Sequence, residues 1–105
     1  MPLDLERKFD AAMMSIYQCA LSEANYRATR FHQMLCDNKG IETARILLHN
    51  QNVSDGYTAL WERGRLDLTV EALILKEEWK ELFTDDERQI AANRLTKYGY
   101  TLSGI

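Results

Sequence analysis

Apolar residues return every three or four positions along most of this chain, and short polar clusters break the pattern. Leu5, Phe9, Ala12, Met13, Ile16 and Ala20 share one helical stripe, with Glu6, Asp10 and Gln18 elsewhere on the wheel. The spacing predicts an amphipathic helix from about Asp4 to about Ser22. Asp4 can cap it, and Glu6 suits the positive end of its dipole. Asn25-Tyr26 reads as a bend. Ala28, Phe31, Met34 and Leu35 give a second stripe that ends near Asp37-Asn38-Lys39-Gly40, where Gly40 is expected to take a left-handed or strained turn. Ile41, Ala44, Leu47 and Leu48 give a third, with Glu42 and Arg45 facing out. It stops in the polar loop His49-Asn50-Gln51-Asn52.

Ser54 and Asp55 open a fourth helix whose expected buried face is Tyr57, Leu60 and Trp61. Gly64 ends it, flanked by Arg63 and Arg65, whose charges favour a helix C-terminus. Leu66 to Leu75 is the most continuously apolar run in the chain. Its first residues alternate as a strand would, but no second segment could pair with it. The expectation is therefore a turn at Leu66–Thr69, then an enclosed helix from Val70 to about Glu78 capped by Asp67 or Thr69. Trp79, Leu82 and Phe83 follow as a bulky apolar turn. Thr84 and Glu87 have the spacing of a capping box, which opens a last helix running to about Tyr98. Ala91, Leu95 and Tyr98 point inward on it. Gly99, with Leu95 and Tyr100 placed to touch across it, predicts a Schellman ending.

These elements add up to a single all-α domain over residues 1–105, a compact bundle of five or six short helices. A chain of 105 residues can bury one modest core without staples. A 46% hydrophobic and 28% charged composition suits a globule rather than a disordered segment. The net charge of −3 gives no general electrostatic footprint for nucleic acid. Six basic and six acidic residues balance in the first fifty positions, so the excess negative charge lies in the second half. Asp4, Glu6, Arg7 and Lys8 argue against a secretory or transit segment. No apolar run approaches the length needed to span a bilayer. Two cysteines make no disulfide framework, so reduced thiols and a cytoplasmic setting are expected.

Several stretches together resemble a known pattern: Gly56-Tyr57-Thr58-Ala59-Leu60-Trp61-Glu62, Arg65 through Leu73, Leu82-Phe83-Thr84 with Glu87, Ala91, Arg94 and Leu95, and Tyr98-Gly99-Tyr100. The pattern is similar to that of a small, uncharacterised bacterial domain family. Tyr26, Phe31, Met34, Gly40, Ala44, Leu47 and Leu48 extend the resemblance over about residues 9–100. It implies a compact helical unit in a bacterial or phage setting and assigns no catalytic or ligand residue.

The candidate chemistry is sparse. Cys19, His32, Cys36 and His49 are the available soft ligands. His32 and Cys36 share a helix face, but the other intervals are long and no CxxC knuckle occurs, so no metal or other cofactor is expected. Glu71 sits among apolar residues; it reads either as a proton-transfer acid or, preferably, as a first-turn carboxylate or the ion-pair partner of Arg65 or Arg94. No Ser-His-Asp set, Gly-rich phosphate loop or nucleophile elbow appears, and an enzyme is not expected. The helix pair across Ile41–Arg63 could read DNA, with Arg27, Arg30, Lys39 and Arg45 as a local basic patch, yet its second helix carries two acids and no base before its end.

The stronger expectation is a non-catalytic protein-interaction module, an inhibitor or adaptor, that meets another protein through Glu77, Glu78, Trp79, Glu81, Asp85 and Asp86. Aromatics inside a charged rim have the composition of an interface centre. The competing reading folds Trp79 and Phe83 inward and leaves the acids merely solvated. The alternative function is a nucleic-acid-associated regulator or defence-system component.

Overall fold

The structure is a computed structural model and describes residues 2–100. All regular structure among these residues is helical. α1 (Pro2–Ala24), α2 (Thr29–His49), α3 (Asp55–Glu62), α4 (Val70–Ile74) and α5 (Asp85–Lys97) are joined by short links, two of which, Leu66–Leu68 and Glu77–Leu82, wind into 3-10 turns. A kink divides α2, so six α-helical segments pack into one bundle, as the apolar spacing predicts.

α1 and α2 run antiparallel. Near one end the Tyr17 ring lies against His32, and near the other Asp10 reaches Gly40. Asn25 makes the turn between them in the left-handed region (φ 52°), and the Tyr26 N–H returns to the Ala20 carbonyl at 3.0 Å. The core lies under this hairpin. Phe9, Met13, Leu35, Ala44 and Leu48 meet Leu73 and Ile74 of α4, Trp79 and Phe83 of the following turn, and Ala91 of α5. Burial of a side chain such as Phe9 contributes about 1.5–3 kcal/mol. Phe9 holds Trp79 and Phe83 edge-on, with ring centroids 5.2 and 5.3 Å away.

Local signals act as their sequence predicts at several helix ends. Ser54, Thr69 and Thr84 accept from the N–H groups of Tyr57, Ala72 and Glu87 at 3.1, 3.2 and 3.1 Å. Glu87 returns the bond to the Thr84 N–H at 3.0 Å, completing the capping box. Gly64 and Gly99 adopt positive φ, with the paired backbone bonds of Schellman endings behind α3 and α5.

Several expectations change, and one open choice is resolved. The left-handed residue at the α2 kink is Lys39 (φ 64°), not Gly40. Gly40 is needed for proximity instead: a Cβ there would lie 2.7 Å from the Asp10 carboxylate and 2.9 Å from the Phe9 ring. Asp10 accepts from the Gly40 N–H at 2.7 Å, and the Thr43 hydroxyl donates to the Met34 carbonyl at 3.0 Å, so the kink's open backbone groups find partners. The central helix stops at Ile74 rather than near Glu78. Continuing it would direct the Trp79 N–H to the Leu75 carbonyl, but Arg88 donates to that oxygen at 2.9 Å and Trp79 bonds Lys76 instead. Thr69 caps this helix; Asp67 is held by Arg65 at 3.0 Å. Trp61, expected inside, is 45% exposed and lies edge-on against Tyr98.

Candidate functional site

The acidic stretch forms a shallow surface. Glu77, Glu78, Glu81 and Asp85 edge one concavity with Leu5 and Lys80, and Lys80 pairs with Glu77 at 3.8 Å. Asp86 is exposed in the first turn of α5, outside that concavity. Trp79 does not belong to the surface: it is 4% exposed and packed on Phe9. Phe83 is also core. The sequence spacing brings both aromatics within the acidic stretch, but the 3-10 turn aims them at α1 and leaves the acids outside. The inward reading of the aromatics is the one realised.

The four basic candidates separate. Arg27 and Arg30 stand at the start of α2, Lys39 occupies the kink, and Arg45 lies further along the same helix. The Arg45 guanidinium is committed, donating to the Glu87 carboxylate and to the Leu82 carbonyl, both at 3.2 Å. His49 also meets Glu87, at 3.0 Å. Burial opposes ionisation of Glu87, but the Thr84 N–H, His49 and Arg45 outweigh it and hold this carboxyl below the ordinary carboxylate range.

A more apolar concavity lies elsewhere. Between α1, α2, α3 and the start of α4 lies a cleft of about 510 Å³. α1 supplies Ile16 and Tyr17 to its walls, α2 supplies Phe31, Met34 and Leu47, and Val53, Leu60 and Val70 complete them. The cleft exists because α2 and α3 do not close on each other. α3 packs on the Leu66–Leu68 turn and, through Tyr57 and Trp61, on Tyr98. Arg27 and Arg30 stand at its edge with Asp55, and Ile46, 42% exposed, carries its apolar lining outward.

Tyr57 and Glu71 are its buried ionisable members, 2% and 4% exposed. The Tyr57 hydroxyl has no hydrogen-bond partner; burial, with Glu71 and Tyr98 nearby, pushes its pKa well above the usual tyrosine value. Burial likewise raises Glu71, against the pull of its own backbone N–H and of Arg94. Of the two arginines the sequence offers Glu71, Arg94 is the partner, at 3.1 Å; Arg65 binds Glu23 and Asp67 on the surface. Arg94 also donates to the carbonyls of Leu47, Leu48 and Asn50. It thereby closes the end of α2 and ties it to the start of α4, fixing two walls of the cleft.

His32 and Cys36 do share a face, with Nε2 and Sγ 4.0 Å apart. Among the described residues no three His, Cys, Asp or Glu side chains gather as a metal site would require. No described helix is long and apolar enough to cross a membrane. No family model, curated protein or solved structure matches this chain.

Sequence reasoning found Glu71 alone, and Arg27 and Arg30 as part of a basic patch with Lys39 and Arg45, but not the cleft that unites the three. Its walls come from four separated segments. The one local sign is Ala28 before α2, where a Ser, Thr, Asp or Asn would be the usual cap.

Proposed function

We propose that this protein is a non-catalytic interaction module whose receptor surface is the cleft between α1, α2, α3 and α4. The observation that carries the reading is an aromatic and aliphatic concavity of about 510 Å³ whose walls are braced by a buried ion pair. Such a pocket can desolvate a partner's apolar anchor, and buried anchors dominate interface energies. The acidic concavity at Glu77, Glu78, Glu81 and Asp85 lacks that property now that Trp79 is accounted for in the core. It remains a charged rim suited to steering a basic partner.

The second reading, association with nucleic acid, draws on Arg27, Arg30 and Lys39, which make no ion pair among the described residues. Arg45 is spent on Glu87, and α3, splayed from α2, would be a poor recognition helix. The net charge of −3 favours the protein partner. The resemblance of the sequence to a bacterial domain family and the two free thiols support a bacterial or phage setting and a reducing cytoplasm.

Affinity purification from the host with three baits tests the assignment. Ile46→Glu alters an exposed position at the cleft mouth; Glu78→Lys with Glu81→Lys alters the acidic face. Partners retained by the wild type and the acidic-face variant but lost by Ile46→Glu support the cleft. Loss only from the acidic-face variant moves the interface there, and salt-sensitive DNA retention by all three favours the second reading.

A further inference from the structure

The cleft carries an unbalanced charge at its edge. Its ionisable lining is Arg27, Arg30, Asp55 and Glu71, apart from its tyrosines. Glu71 is answered by Arg94, and Asp55 lies in the first turn of α3, where the helix dipole accommodates it. Arg27 and Arg30 make no ion pair or side-chain hydrogen bond among the described residues. They flank the start of α2, whose Ala28 supplies no side-chain cap and whose first turn holds no acid. Inside the cleft the lining is mostly apolar, with Thr29, Asn50, Ser54 and Thr69 among it, and the Tyr57 hydroxyl is buried out of reach of solvent without a hydrogen-bond partner.

We propose that the occupant is an acidic amphipathic segment of a partner protein. This rests on the cleft being the receptor surface. Apolar side chains of the segment fill the space between Phe31, Leu47 and Leu60. One of its carboxylates meets Arg27 and Arg30 and accepts from the N–H groups of Arg30 and Phe31, the two that the first α2 turn leaves open, supplying from outside the cap that the sequence omits. Ile46 continues the apolar surface beyond the cavity, which suits a segment lying across the mouth better than a small molecule enclosed within it.

Panning a random peptide-display library on the full chain tests this, with peptides of about 15 residues, long enough for an isolated helix. Selected peptides should be amphipathic and acidic and should fail to bind Ile46→Glu. They should lose affinity about tenfold or more on Arg27→Glu with Arg30→Glu, with a steep salt dependence. Panning on that double variant should turn the selection toward basic sequences. Both arginines are exposed, and far-ultraviolet circular dichroism verifies that the variants fold. Peptides sensitive to Ile46→Glu but without acidic bias overturn this inference and leave the cleft as receptor. Peptides indifferent to Ile46→Glu overturn the cleft itself. Binding of dodecanoate, with no peptide enriched, assigns the cleft to a free amphiphilic acid and also overturns the proposal.

Discussion

The Arg94 guanidinium meets the Glu71 carboxylate at 3.1 Å inside the molecule, and with its remaining donors it closes the last carbonyls of α2. One side chain from α5 therefore positions two other helices. Removing it would strand a buried carboxylate and reopen a helix end. Arg94→Ala should cost about 3–5 kcal/mol, the range for breaking a buried pair from one side. Glu71→Gln keeps an acceptor for Arg94, whose charge is still met by the carbonyls of α2, so it should cost less. Urea unfolding of the three proteins checks the order; equal midpoints for wild type and Arg94→Ala would refute it.

Trp79 offers a second test of the packing. It is buried against Phe9, so Trp79→Ala should destabilise the protein by about 3–5 kcal/mol. A variant with an unchanged thermal midpoint would return Trp79 to the surface.

At Gly40 a methyl group would meet the Phe9 ring and the Asp10 carboxylate at under 3 Å. α1 and α2 would have to part. Gly40→Ala should cost about 1–3 kcal/mol, the range for overpacking, although alanine is ordinarily the better helix former. Chemical denaturation measures this, and stabilisation would contradict the close approach.

These tests also mark what the sequence could disclose. Thr84 and Glu87 lie three residues apart, and their capping box is a matter of local geometry, so it was readable, as were Gly64 and Gly99. The apolar stripes of α1 and α2 followed from periodicity. The shortening of α4 was not readable, because it depends on Arg88 taking the Leu75 carbonyl from thirteen residues away. Gly40 was misread for the same reason: its constraint comes from Phe9 and Asp10 on another helix. The cleft left still less trace, since it forms where α2 and α3 stay apart, and sequence patterns report contacts more readily than gaps.

Acid stability should depend on Glu87. Its folded carboxyl titrates below its unfolded value, so the unfolded chain takes up the proton first. Its stabilisation is fully present above the unfolded pKa of about 4.3 and is lost as pH falls through the lower folded value. Glu87→Gln should therefore lower the melting temperature at neutral pH, and its difference from the wild type should shrink as the pH is brought below about 4. A constant difference between neutral and acid pH would contradict the linkage.

The cleft is tested most directly by amide chemical-shift mapping of the ¹⁵N-labelled protein, titrated with a partner or selected peptide. The largest changes should fall on Phe31, Ile46, Leu47, Gly56 and Tyr57, with Glu78, Glu81 and Asp85 little affected. The reverse pattern, with shifts gathered on the acidic residues and none in the cleft, would contradict the account.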